Sequence, residues 1–116
     1  MRTFLLIALL FIPAQAPLKP VSFALTVTDE DGAYKEALWT ELRKNRSLMV
    51  ASRKPEFDIY TAITEINERG RFFGYAVALL VVVDGKYNLS IESGPNPQDL
   101  ARHVAGILEK RYFNKR

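Results

Sequence analysis

The stretch FFGYAVALLVVVDGKYNLSIES, residues 72–93, decides the fold of this 116-residue chain. It holds the most apolar run downstream of the N-terminal segment, and Asp84-Gly85 ends that run. An Asp-Gly pair between two strand-like runs is a strong signal for a two-residue β-hairpin turn. The sequence therefore predicts two antiparallel β-strands, 72–83 and 86–93, and no internal membrane span.

Because the predicted turn has two residues, it sets the register of the hairpin. Val83 lies opposite Lys86 in that register, and alternate residues of the two strands share a face of the sheet. One face then carries three small residues and three large apolar ones: Gly74, Ala76, Ala78, Tyr87, Leu89 and Ile91. Small side chains let a helix approach closely, so we expect helices to cover this face.

The opposite face of the first hairpin strand is a stripe of large apolar side chains that we expect to meet solvent. Its members are Phe73, Tyr75, Val77, Leu79, Val81 and Val83. Such a stripe favours an interface with a second copy or another protein. Two other interpretations stay open: the general preference of strands for β-branched residues, and a register slip that exchanges the faces. The interface interpretation predicts that Leu79→Lys leaves the monomer folded and abolishes self-association.

Three segments upstream of the hairpin have the pattern of β-strands. Residues 21–28 and 56–66 alternate between the two sides of a strand, with apolar residues on one side. Residues 47–52 form a short apolar run that Lys54-Pro55 ends. Together with the hairpin, these segments predict five strands.

Two segments have the 3.6-residue periodicity of amphipathic helices. In residues 32–45, three large apolar residues lie four apart and so share one helical face: Tyr34, Leu38 and Leu42. The last helix begins after Asn96, a residue type favoured at the N-cap, with Pro97 at the first helical position. Its predicted buried residues are Leu100, Val104, Ile107 and Leu108.

The predicted elements follow the order β-α-β-β-β-β-α, which places the chain in the α+β class. Short connections join the last four strands, and such connections favour antiparallel neighbours. The sequence therefore predicts an antiparallel-dominated five-stranded sheet with both helices packed on one face. Residues 21–116 have the length of a single domain.

The N-terminal segment has the layout of a secretory signal peptide. One basic residue precedes an apolar run over residues 4–12, and small residues follow. The run is too short to span a bilayer as a helix, which takes about 20 residues. We expect residues 1–16 to be a signal peptide, cleaved after Ala14 or Ala16, and residues 17–20 to form a linker. The mature chain would then work in the periplasm or outside the cell, without a stable membrane span.

Composition excludes several classes of site. The chain has no cysteine, which excludes disulfide frameworks, thiolate metal sites and a cysteine nucleophile. A single histidine, His103, excludes the histidine-rich zinc signatures. The net charge of +3 is too small to indicate binding to nucleic acid. We therefore expect no cofactor, no metal and no nucleic-acid partner.

No set of residues has the spacing of a catalytic centre. A general base needs a positioned nucleophile, and the sequence shows none for His103. The acidic run at 29–31 leads into a predicted helix N-terminus, which explains it without a bound calcium ion. Asp58 and Glu65 are an odd number of residues apart in one predicted strand, so they point to opposite faces.

The order of elements resembles the small periplasmic α+β domain that is found at the amino end of TolB and in related envelope proteins of the CsgG type. The resemblance rests on the helix EALWTELRKN (36–45), the strand SLMVAS (47–52) and the phrase PEFDIYTAITEI (55–66). In that phrase Asp58 introduces a strand of alternating residues. The resemblance extends over residues 21–113, implies an envelope accessory or interaction module, and brings no catalytic residues with it.

The sequence thus predicts an exported, non-enzymatic binding or assembly module of the cell envelope. This module would engage a protein partner or a second copy through a sheet face. The alternative is a small secreted enzyme or ligand carrier with a site between helices and sheet. A pocket with convergent polar groups near Tyr34, Trp39 or His103 would favour the alternative.

Overall fold

A computed structural model describes residues 21–45, 49–50 and 54–115. The predicted signal peptide and linker, residues 1–20, lie outside these ranges, and the predicted strand 47–52 is described only at its centre. The elements, in chain order, are β1 (Ser22–Thr28), α1 (Ala33–Asn45), β2 (Met49–Val50), β3 (Phe57–Glu68), β4 (Arg71–Val83), β5 (Lys86–Gly94) and α2 (Pro97–Ile107). The chain continues from α2 in a π-helical turn, Leu108–Tyr112, and a 3₁₀ turn, Phe113–Lys115.

The sheet is mixed, with strand order β2-β1-β3-β4-β5. β1 pairs in parallel with β2 and β3, whereas β3 pairs with β4 and β4 with β5 in antiparallel fashion. The predicted antiparallel-dominated sheet of five strands is therefore wrong. Four full strands form the mixed sheet, and β2 adds only two residues at its edge.

The reason for the parallel pairing is the helix between β1 and β3. A crossover through α1 returns the chain to the end of the sheet where β1 began, so β3 runs parallel to β1. The short sequence distance between β2 and β3 does not make them a hairpin, because β1 lies between them in the sheet. The prediction relied on connection length and missed this crossover.

The predicted register of the β4–β5 hairpin is confirmed. Val83 pairs with Lys86, and Leu80 pairs with Leu89. Asp84 and Gly85 have φ angles of 53° and 74°, the left-handed backbone that a primed two-residue turn requires.

The helices cover the face of this hairpin that the sequence predicts to be exposed. Three β4 residues expected to meet solvent are at most 1% exposed and belong to the core: Val77, Leu79 and Val81. Three β5 residues expected to lie under the helices are 75%, 67% and 69% exposed: Tyr87, Leu89 and Ile91. The expected solvent-facing stripe is therefore wrong at its centre, and Leu79→Lys is now expected to unfold the domain.

The error lies in the choice of face and not in the register. The small residues of β4 predict an approaching helix, but Ala78 is exposed. Gly74 is buried for a different reason: a Cβ atom at this position would lie 2.9 Å from the carbonyl oxygen of Gly94. The backbone that leaves β5, and no helix, makes the close approach there.

The core lies between the covered face of the sheet and the two helices. Helix α1 contributes the three residues predicted for its buried face, Tyr34, Leu38 and Leu42, which are fully buried. The predicted buried residues of the last helix are also buried: Leu100, Val104, Ile107 and Leu108. The predicted N-cap is confirmed, since the Oδ1 atom of Asn96 accepts a hydrogen bond of 2.8 Å from the backbone N–H of Asp99.

The β3–β4 hairpin extends past the strands on either side. β1 pairs with β3 only as far as Ala62, and β5 pairs with β4 only as far as Tyr75. Near the end of the hairpin, Ile66 pairs with Gly74 and Asn67 pairs with Phe72, which leaves Phe73 as the extra residue of a β-bulge. We call residues 66–74 the hairpin tip.

Candidate protein-binding face

The face of the sheet opposite the helices, here called the open face, carries apolar residues from three strands. Tyr60, Leu80 and Leu89 lie side by side across β3, β4 and β5. In the neighbouring rows Val82 lies beside Tyr87, and Ala78 lies beside Ile91. The open face is defined by these residues: Tyr60, Ala78, Leu80, Val82, Tyr87, Leu89 and Ile91.

The exposure of the open face is greatest on β5, the terminal strand of the sheet. Tyr87, Leu89 and Ile91 are each about two-thirds exposed or more. The sequence KYNLSIE alternates strictly, so the polar residues of β5 point towards the helix side and its apolar residues towards the open face. A strand of this pattern normally buries its apolar side.

The open face becomes polar towards β1. The Tyr60 hydroxyl donates a 3.0 Å hydrogen bond to the Oδ2 atom of Asp58, two residues earlier on β3. This hydrogen bond and the negative charge of Asp58 raise the pKa of Tyr60. Beyond β3, Thr26 and Thr28 of β1 are exposed. The apolar part of the open face is thus confined to β3, β4 and β5, with its centre near Leu80 and Leu89.

The residues predicted to form an interface are not brought together on one exposed surface. Phe73 is 59% exposed at the hairpin tip, where the Arg71 guanidinium lies 5.9 Å from its ring centroid. Tyr75 is half-buried and packs edge-on against Phe72 at 5.2 Å. Val83 is half-buried beside the β4–β5 turn. The remaining three, Val77, Leu79 and Val81, are core residues.

The exposed residues that the prediction missed are Tyr87, Leu89 and Ile91. Their shared face was evident from the hairpin register, and their size was evident from the sequence. The missing information was the side on which the helices pack, because both sides of β4 are apolar. The polar residues of β5 lie at the periphery of the helix layer. With that placement, the same register predicts that Tyr87, Leu89 and Ile91 are exposed.

Two buried hydroxyls on the covered side, those of Tyr34 and Thr61, are hydrogen-bonded to each other. The Thr61 hydroxyl donates a 2.9 Å hydrogen bond to the carbonyl oxygen of Ala78. The Thr61 oxygen lies 2.7 Å from the Tyr34 hydroxyl, which must then be the donor because the single hydroxyl proton of Thr61 is already used. Burial raises the pKa of Tyr34 to about 12. This chain of hydrogen bonds fixes α1 on β3 and offers no free group for chemistry.

Trp39 lies at the edge of the core, and His103 lies on the exposed surface of α2. Trp39 packs against Phe23, with ring centroids 5.6 Å apart, at the edge of the core. His103 is exposed, and its Nε2 atom lies 3.2 Å from the Oε2 atom of Glu92. His103 also lines a groove of about 550 Å³ along α2, together with exposed charged residues such as Arg102 and Lys110.

The acidic run 29–31 has a structural role at the start of α1. The Asp29 carboxylate accepts hydrogen bonds from the backbone N–H groups of Asp31 and Lys35, at 3.2 and 3.0 Å. Among the residues that the structure describes, no group of three or more His, Cys, Asp or Glu side chains is arranged to hold a metal ion. Within those same ranges, no helix is both long and apolar enough to cross a membrane.

Comparisons with known proteins identify the fold. No family model matches the chain, and no curated protein is significantly similar to it in sequence. Among solved structures, the chain is similar to TolB from Acinetobacter baumannii, with 12% sequence identity and a TM-score of 0.62. That match covers 84% of this chain and 29% of the TolB chain.

A second solved structure, the rare lipoprotein B from Shewanella oneidensis, matches with 11% identity and a TM-score of 0.42. That match covers 78% of this chain and 92% of the lipoprotein. At these identities a likeness concerns the fold alone. The likeness to TolB thus agrees with the resemblance seen in the order of elements, and the described part of this chain has a fold similar to part of TolB.

Proposed function

We propose that the protein is a non-enzymatic module of the cell envelope that binds a protein partner through the open face. The observation that carries the proposal is the exposure of Tyr87, Leu89 and Ile91 side by side on the terminal strand of the sheet. Contiguous apolar residues of this size are uncommon on the surface of a monomer and are typical of interaction sites.

The energy available from covering these side chains supports a binding role. Full burial of a Leu or Ile side chain contributes about 1.5–3 kcal/mol relative to its exposed state. Three large side chains on β5, together with Tyr60 and Leu80 in the next strands, form one contiguous patch. A partner that covers the patch would gain several such contributions against the entropic cost of association.

The location in the envelope rests on two independent features. The layout of residues 1–16 is that of a signal peptide. The fold of the described domain is similar to part of TolB, in agreement with the resemblance of the element order to a periplasmic domain. Sequencing the N-terminus of the exported chain checks this part of the proposal, and we expect it to begin at Gln15 or Pro17.

The layer between helices and sheet supports a binding module over an enzyme. Large side chains from both helices and from β1, β3 and β4 fill this layer in one continuous cluster. Its buried hydroxyls, Tyr34 and Thr61, are engaged with each other and with the backbone. The use of these two hydroxyls within the fold supports the binding module.

Site-specific photo-crosslinking in cells of the native host tests the proposal. A benzophenone side chain at position 89 would lie on the open face, and one at position 35 would lie on the exposed side of α1. We expect a covalent protein adduct from position 89 and none from position 35. Equal adducts from both positions, or none from position 89, would overturn the proposal.

A further inference from the structure

The outer edge of β5 carries unpaired backbone groups in a regular pattern. Val83 and Lys86 close the hairpin turn as a hydrogen-bonded pair, so alternate residues of β5 bond to β4. The residues between them direct their N–H and C=O groups away from β4: Tyr87, Leu89 and Ile91. In the part of the chain that the structure describes, no strand pairs with this edge.

The sequence of β5 has the same chemical pattern in both directions. Residues 86–92 read Lys-Tyr-Asn-Leu-Ser-Ile-Glu. From either end the order is a charged residue, a large apolar residue, a small polar residue and then the central Leu89. The two terminal charges have opposite signs. A strand with this pattern is complementary to an antiparallel copy of itself.

We propose that β5 pairs with β5 of a second copy of this chain, antiparallel about a two-fold axis at Leu89. In this register Leu89 faces its own copy, and Tyr87 faces the partner's Ile91. Lys86 faces the partner's Glu92, so each dimer has two pairs of opposite charge. The two sheets become one, and the apolar side chains of both β5 strands form a continuous strip on the open face.

The pairing of charges favours this register over the two adjacent registers. Moving the axis by one residue to Asn88 places Asp84 opposite the partner's Glu92, which brings two negative charges together. Moving the axis to Ser90 places Lys86 opposite the partner's Gly94 and leaves its charge unpaired. Like charges directly opposite each other destabilise a strand pair, and opposite charges stabilise it. The axis at Leu89 is the arrangement that pairs both charged ends of β5.

The side chain of Glu92 already has a neighbour on its own chain. Its Oε2 atom lies 3.2 Å from His103, on the helix side of β5. The Lys86 side chain is exposed, and Glu92 retains partial exposure. A carboxylate has two oxygen atoms and accepts more than one hydrogen bond. The contact with His103 therefore leaves Glu92 able to pair with Lys86 of a second copy.

The interface is small, so the association is weak. It consists of one strand pair and three apolar side chains from each chain, which is less than a standard interface of about 1,600 Å². We expect a dissociation constant of about 10 μM to 1 mM. This inference goes beyond the proposed function, because a second copy occupies the edge of β5, whereas the proposed partner covers the open face.

Charge reversal tests the register. Sedimentation equilibrium of the full purified chain should show a monomer–dimer equilibrium. K86E replaces both pairs of opposite charge in the dimer with pairs of like charge. We therefore expect dimerisation to weaken about tenfold. E92K should weaken it similarly, and the double variant K86E/E92K should restore it. A chain that remains monomeric up to about 1 mM overturns the inference, as does a double variant no tighter than K86E.

Disulfide crosslinking tests the position of the axis, and it is specific because the natural chain has no cysteine. Leu89→Cys would place two thiols opposite each other, with Cα atoms about 5.5 Å apart, within the range of a disulfide. We expect L89C to form a covalent dimer under mild oxidation. Tyr60→Cys is the control on the open face, and it should remain monomeric because β3 lies away from the edge. A covalent dimer from Y60C and none from L89C would indicate face-to-face packing and overturn the edge pairing.

The outcomes separate this inference from the proposed function. If position 89 crosslinks to a different protein while the purified chain stays monomeric, the inference is overturned and the proposed function stands. If position 89 gives no protein adduct and the chain stays monomeric, both are overturned. Circular dichroism of each variant checks that the domain is folded in every comparison.

Discussion

Leu79 and Leu89 occupy neighbouring strands of one sheet and have opposite surroundings. Leu79 is 1% exposed beneath the helices, whereas Leu89 is 67% exposed on the open face. Both faces of the β4–β5 hairpin carry large apolar residues, so composition does not distinguish them. The difference arises from the chain connections, since α1 and α2 both pack on the same side of the sheet. One apolar face of the hairpin is thus buried in the core, and the other is exposed.

Alanine substitution of these two leucines should give the largest difference in stability between the two faces. Leu79→Ala leaves a cavity in the core, and we expect it to lower the free energy of unfolding by about 2–5 kcal/mol. Leu89→Ala removes the same atoms from an exposed position and should change the free energy of unfolding by less than about 0.5 kcal/mol. Urea denaturation of both variants at a concentration where the chain is monomeric measures the difference. Similar losses for the two variants would contradict the assignment of the faces.

Two tyrosines provide a comparison at alkaline pH. The pKa of Tyr34 is about 12 in the folded protein, above its ordinary value near 10, because burial disfavours the ionised form. The unfolded chain therefore loses this proton first as the pH rises. The contribution of Tyr34 to stability is complete below pH 10 and is lost as the pH approaches 12. The loss is on the order of 3 kcal/mol.

Tyr34→Phe and Tyr60→Phe test whether Tyr34 causes this loss of stability at alkaline pH. Tyr34→Phe removes the ionisable hydroxyl from the covered side, so its stability should decline less steeply between pH 10 and 12. Tyr60→Phe acts on the exposed side and should retain most of the decline seen in the natural chain. Thermal unfolding followed across this pH range supplies the measurement. A decline that persists unchanged in Tyr34→Phe would show that another group causes it.

Two threonines of β3 give the comparison with the smallest expected effect on stability. Thr61 is buried on the covered side and accepts the Tyr34 hydrogen bond, whereas Thr64 is exposed. Thr61→Val leaves the buried Tyr34 hydroxyl without its acceptor, and we expect a loss of about 1–3 kcal/mol. Thr64→Val should change stability by less than about 0.5 kcal/mol. Equal effects in equilibrium unfolding would indicate that the hydrogen bond contributes nothing.

Local sequence patterns predicted the features that depend on near neighbours in the chain. The periodicity of Tyr34, Leu38 and Leu42 identified the buried side of α1, and Asn96 identified the start of α2. Asp84-Gly85 set a hairpin register that is confirmed along the whole strand pair. Each of these features is determined by backbone geometry within a few residues, which is why the sequence alone was sufficient.

Features that depend on the tertiary arrangement were not predicted. The parallel pairing of β1 with β3 follows from the crossover through α1, whose direction the periodicity of the helix does not encode. The candidate site was missed for the same reason. The register placed Tyr87, Leu89 and Ile91 together, but only the packing of the helices decides whether that group is core or surface.

The hairpin tip has a consequence for the dynamics of the domain. No residue of 66–74 pairs with β1 or β5, and Ile66, Phe72 and Phe73 are exposed. Backbone hydrogen bonds in such a segment open without disturbing the core, whereas those at the centre of β3 and β4 open only when the domain unfolds. Amide protons of one continuous hairpin should thus exchange with solvent on two separate timescales, fast beyond the bulge at Phe73 and slow beside Leu79.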